Sequence, residues 1–121
     1  MAERYSSFSR GGLAWFLQRV TAAFLVVTLA FHFFLLHFYN HAPEITFQGS
    51  AGRMTVPAYW LTMVLFLATA TFHGTNGVYN ALVNQGLSGT PKRAAKWVLI
   101  VAGLVLFVQG IRVSLALAGG V

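Results

Sequence analysis

The sequence has no cysteine, and its only acidic residues are Glu3 and Glu44. Without cysteine the chain can form no disulfide, iron–sulfur ligation, thiol chemistry or covalent C-x-x-C-H haem attachment. With two carboxylates so far apart it has no acid–base pair, and no nucleophile–base pair stands out. A free-standing enzyme is therefore the weakest reading. Charge of either sign is scarce: 8% of residues are charged, against about a quarter in a soluble domain. With 57% hydrophobic residues and a mean hydropathy of +0.69, the chain cannot cover a globule with ionic surface.

What the chain does have is three apolar runs, each near or above the roughly 20 residues that cross about 30 Å of hydrocarbon. They are Val20–Tyr39, Ala58–Val83 and Trp97–Ile111, the last continuing past Arg112 to Ala118. The first run is too long for a signal peptide and lacks a small-residue cleavage site. These runs predict an all-α membrane protein of three transmembrane helices. Helix I covers about Leu13–Tyr39, helix II about Pro57–Asn84 and helix III about Ala95–Ala118, all in one domain spanning residues 1–121.

The formal charge of +6 is distributed unevenly. Arg4, Arg10 and Arg19 precede or open helix I, and Lys92, Arg93 and Lys96 lie between helices II and III. Only Arg53 and Arg112 fall toward the other side. By the positive-inside rule the N-terminus is cytoplasmic and the C-terminus outside, in a multi-pass plasma-membrane protein. The basic balance thus reflects topology and anionic lipid contact, and a nucleic-acid partner is not expected. The stretch "NHAPEITFQGSAGRM" reads as an irregular outer loop. Thr55 is placed to cap helix II, with Pro57 in its first turn, and Thr90–Pro91 starts helix III. Trp15 and Tyr39 are candidate interfacial anchors.

Polar residues fall on two stripes. At about 100° per residue, Gln18, Thr21, Thr28, His32 and Tyr39 lie within about 40° of the His32 direction on helix I. His37 points about 140° away and reads as an interfacial histidine. On helix II, Thr62, Thr69, His73, Gly77, Asn80 and Asn84 share a face, with Asn76 at its edge. Lipid cannot satisfy such groups, so both stripes face protein, a cofactor or water. For the threonines, and for Gly103, Gly110 and Ser114 on helix III, helix–helix packing is the better explanation.

The histidines invite another explanation. An imidazole deep in lipid needs strong compensation for lost water, and coordination to haem iron supplies it. Gly77, one turn after His73, removes a side chain that would meet a porphyrin plane. A proton-relay histidine is the alternative. Counted from helix ends near Ala14 and Asn84, His32 lies about 27 Å deep and His73 about 16 Å. That offset of about 10 Å is too large for one iron. The two histidines would therefore serve different haems, each completed by another chain.

"RVTAAFLVVTLAFH" (Arg19 to His32) resembles the first helix of the membrane-anchor subunits of succinate dehydrogenase and fumarate reductase. These open with Arg-x-Ser/Thr-Gly/Ala, and two-haem members carry a histidine thirteen residues after the arginine. "HGTNG" (His73 to Gly77) resembles their second-helix His-x-x-x-Gly motif. The "RxTA" start is more similar to the D-type than to the C-type anchor, and "FHGTNGVYNALVNQG" resembles archaeal halophile versions.

The resemblance implies a haem b-binding anchor, with one or two haems shared with a C-type anchor. A flavoprotein carrying FAD and a subunit carrying iron–sulfur clusters would dock on the cytoplasmic face, and membrane quinone would accept the electrons. It implies His73 and His32 as iron ligands, and Gly77, Arg19 and Asn84 as further cofactor-binding positions. The family's Asp-Tyr pair and quinone-binding serine are replaced here by Asn84–Gln85 and Trp15. Two rivals stand beside this reading. One is a haem-free anchor of the same complex; the other is a small transporter or channel subunit with His73, Asn76, Asn80 and Asn84 along a polar path.

Overall fold

A computed structural model describes residues 12–119. Within them the chain is all helical: α1 (Gly12–Phe34), α2 (Phe47–Met54), α3 (Pro57–Asn84) and α4 (Gly89–Leu117). A π-helical turn, Leu35–Tyr39, extends α1, and a 3₁₀ turn, Ala42–Glu44, follows it. The π turn ends where Asn40 gives both its backbone N–H and its side-chain Nδ2 to the Leu35 carbonyl. His41 then turns the chain through a positive φ of 53°.

Two expectations for the outer segment are corrected. It is not irregular throughout, because Thr46 caps α2 by accepting the Gly49 N–H at 3.1 Å. Nor does Thr55 cap the next helix. It closes α2, donating its hydroxyl to the Gly52 carbonyl at 2.7 Å, and Val56 is the N-cap ahead of Pro57. The axis bends by 97° between α2 and α3. Proline at the first helical position needs no N–H partner there, so α3 starts cleanly.

At the other end, Gly86 adopts φ 100°. Its N–H bonds the Val83 carbonyl, and the Leu87 N–H bonds the Leu82 carbonyl. This crossed pair satisfies the last carbonyls of α3 and needs the left-handed conformation that glycine adopts freely. Helix α3 thus runs from Pro57 to Asn84. Helix α4 starts earlier than 95, with Ser88 as its N-cap residue.

The extended α1, Gly12–Tyr39 (28 residues), and α4 (29 residues) are long and apolar enough to cross a bilayer, and α3 joins them as a third candidate when taken with α2. The interior supports that environment. Among the described residues the buried polar side chains are Thr21, Thr28, Asn76 and Ser114, and the buried apolar ones only Ala14, Tyr79 and Val83. Large apolar residues such as Val26, Phe34, Val98 and Leu106 lie on the outside. This distribution suits lipid as the surrounding solvent, where helix association depends on small and polar contacts.

The helices form an open row with α3 in the middle, and among the described residues α1 and α4 do not touch. Glycine sets the α3–α4 seam. A Cβ on Gly110 would stand 2.5 Å from Leu67 Cδ2, and one on Gly103 would stand 2.9 Å from Thr75 Cγ2. The small-residue side of α4 is thus a packing surface, as expected.

Candidate functional site

The α1–α3 contact is a chain of hydrogen bonds at the end of the row that carries Arg19, Lys92, Arg93 and Lys96. Asn76 is fully buried and donates Nδ2 to Gln18 Oε1 at 2.7 Å. Gln18 in turn donates Nε2 to the His73 carbonyl at 3.1 Å. Thr21 Oγ1 lies 3.1 Å from His73 Nδ1.

The Thr21 hydroxyl lies 2.7 Å from the Leu17 carbonyl and 3.2 Å from the Gln18 carbonyl. When its one proton is spent on either of them, the oxygen accepts from Nδ1–H of His73 and Nε2 keeps its lone pair. Among the described residues Nε2 has no hydrogen-bond partner. A half-buried imidazole fixed in this tautomer has the form a metal ligand needs, with its second nitrogen already oriented by a neighbour.

Helical periodicity puts Asn76 at the edge of the polar face, and it is the most buried side chain of α3. The helices meet about 60° off the His73 direction, on the side where Asn76 projects. Gln18, on the polar stripe of α1, is the link that joins Asn76 to His73. Its signal was a glutamine three residues before Thr21 on the same face. Gly77 serves this seam as well. A Cβ there would stand 3.2 Å from Gln18 Nε2, so the missing side chain lets the Gln18 amide come close. Buried Asn76 Oδ1 and Asn80 Oδ1 have no donor, and Asn84 lies exposed at the helix end. Arg19 is also exposed, stacking over the Trp15 ring at 3.7 Å, and no hydrogen bond joins it to Asn84.

His32 lies elsewhere. Thr21, the level of His73, precedes it by eleven residues on α1, which is about 16 Å along the axis. His32 and His73 thus lie at different levels along the helix row, about 16 Å apart. His32 lines a pocket of about 620 Å³ bounded by residues of the extended α1, α2, α3 and α4. The walls are mostly apolar, including Leu36, Met63, Leu67 and Val113, with Arg53 and Gln109 among the few polar groups. Buried His32 Nδ1 has no partner. By contrast His37 points away, stacked on Phe33 with ring centroids 4.2 Å apart. No group of three or more His, Cys, Asp or Glu gathers among the described residues. A metal held by one histidine of this chain would need another ligand from a partner.

An inside-out helical row with a polar seam defines an integral membrane protein with titratable groups held at two depths. Residues 2–111 match the family model described as succinate dehydrogenase/fumarate reductase transmembrane subunit, and the chain belongs to that family. It is 26% identical, over 108 residues, to a protein of Thermoplasma acidophilum named succinate dehydrogenase hydrophobic membrane anchor subunit. The alignment covers 89% of this chain and 88% of the relative. No solved structure matches.

Proposed function

We propose that this chain is a haem b-binding anchor of a succinate:quinone oxidoreductase and that His73 donates an axial ligand. Membership of the family carries with it a flavoprotein and an iron–sulfur subunit as partners. The second axial ligand would come from a second anchor subunit. The observation that supports the proposal is the 3.1 Å contact of Thr21 Oγ1 with His73 Nδ1, which leaves Nε2 as the ring nitrogen without a hydrogen-bond partner among the described residues. Haem b supplies one-electron chemistry when bound. This chain's part is to hold the His73 ring in one tautomer, to tie that ring to α1 through Thr21, and to tie the His73 backbone through Gln18. It also supplies apolar outer faces that hold the assembly in lipid and exclude water. Exposed Arg19 and Asn84, at the basic end, are positions for quinone contact near the docking face.

His32 is proposed as the ligand of a second, outer haem, on the strength of its unpartnered Nδ1 in an apolar pocket. With two sites at different depths, electrons could pass across the membrane. The haem-free alternative is less well supported, because helix packing alone gives His32 no partner.

The test is a reduced-minus-oxidised optical spectrum and a haem count on the purified complex. A sharp haem b band that falls by one haem in His73→Ala is expected. A complex that shows no band ends the cytochrome reading. If His73→Ala alters solute flux and leaves electron transfer intact, the chain belongs to transport instead.

A further inference from the structure

The outer pocket contains a second polar group that is not satisfied. Arg53, on α2, donates Nη2 to Ser50 Oγ at 3.1 Å, but its Nε is buried without an acceptor. A guanidinium has five N–H donors in a planar fork suited to carboxylate or phosphate. No acidic residue lines the pocket. The one acidic residue among the described residues, Glu44, is exposed and makes no ion pair with Arg53. A partly buried cation without a counter-ion is costly, so the site calls for an anion from outside the chain.

Three features constrain what that anion belongs to. The pocket is apolar along its length, running on α4 from Leu106 to Leu117, about 16 Å. His32, which lines the same pocket as Arg53, offers a nitrogen with no partner. Arg53 sits at the end closed by α2, which lies across the helix axes. A phospholipid would supply an anion and an apolar body but nothing for His32. A haem supplies all three: an apolar macrocycle, a metal, and carboxylates along one edge.

We propose that Arg53 is the charge partner of the carboxylates of the outer haem, fixing that edge toward α2 and raising the haem's potential. This rests on His32 as iron ligand. A nearby positive charge disfavours the extra positive charge of oxidised iron, so removing it must lower the potential. Arg53 acts here as a positioning and tuning residue.

The experiment is a redox titration of haem absorbance in the assembled complex. Arg53→Gln is expected to shift one haem component to lower potential and leave the other unmoved. Arg53→Lys, which keeps the charge, should stay near the parent. Ser50→Asp sets a competing carboxylate one turn from the same guanidinium and should shift the same component downward. It decides the matter even if Arg53→Gln fails to assemble. His32→Ala tests the underlying reading separately, by the loss of one haem.

If His32→Ala loses that haem but Ser50→Asp moves neither potential, Arg53 has no such role. If His32→Ala keeps every haem, the outer haem itself is withdrawn. A phospholipid that co-purifies with the parent and is lost from Arg53→Gln, with potentials unchanged, overturns the proposal in favour of lipid.

Discussion

The two inward-facing histidines occupy opposite situations. At the basic end, His73 is tied by its ring to Thr21 and by its carbonyl to Gln18, and the Gln18 amide is held in turn by Asn76. At the α2 end, His32 lines an open pocket and its Nδ1 bonds to nothing. The helix row explains the contrast. Where α1 packs on α3, His73, Gln18 and Asn76 bond to one another or to Thr21; beside the pocket between the α1 extension and α4, His32 Nδ1 finds no partner. Pre-formed orientation and unmet need are two different reasons to expect a ligand. They predict different responses to mutation.

The largest effect is expected from His73→Ala, which should remove one haem from the purified complex entirely. His32→Ala should remove the other while costing the fold no hydrogen bond. Thermal unfolding should therefore separate the two: a larger drop for His73→Ala, which loses the Thr21 contact as well as its haem, than for His32→Ala, which loses only its haem. Equal losses of stability would erase the distinction drawn here.

Next comes Thr21→Val. It keeps the shape of the side chain and deletes the acceptor for Nδ1. Partners that orient a metal-bound histidine are typically worth about 10–100-fold in affinity, and a loss of that order is expected in haem retention at the basic end. No change in retention would mean that Thr21 is only part of the packing.

The α3–α4 seam sharpens the comparison from a region with no titratable group. Gly110→Ala pushes a methyl against Leu67, whose Cδ2 would lie 2.5 Å away, and overpacking of this kind costs about 1–3 kcal/mol. Gly74→Ala meets nothing within 4 Å and should be nearly silent. Denaturant titration of the complex distinguishes them. If the partner anchor covers the Gly74 face, that variant will instead destabilise, and the open face of α3 will have been located.

Much of this was legible in the sequence. The limits of α3 follow from Pro57 and from Gly86, because one cannot continue a helix backward and the other turns it out. The unequal heights of His32 and His73 follow from counting residues at a fixed rise. Helix α2 was not legible in a segment with one proline and two glycines, although Thr46 preceding a short helix is a capping pattern. The burial of Asn76 was hidden for another reason. Periodicity shows which residues share a face, but not where along that face a neighbouring helix makes contact. Nor does periodicity reveal that α1 and α4 stay apart, and that separation creates the pocket beside His32.

The smallest effect expected is the most discriminating about threonine. Thr21 and Thr28 lie on the same stripe of α1 and are almost equally buried, at 8% and 5% exposure. A reading in which both are membrane glue makes them equivalent. The hydrogen bonds do not: Thr21 bonds the Leu17 carbonyl and His73, whereas the Thr28 hydroxyl has no hydrogen bond among the described residues. Thr28→Val should therefore fall within about 0.5 kcal/mol of the parent, against about 1 kcal/mol for Thr21→Val. Both are measured by denaturation of the complex. A larger cost at Thr28 would mean that a partner helix reaches it, and the α2 end would then be closed in the assembly by protein.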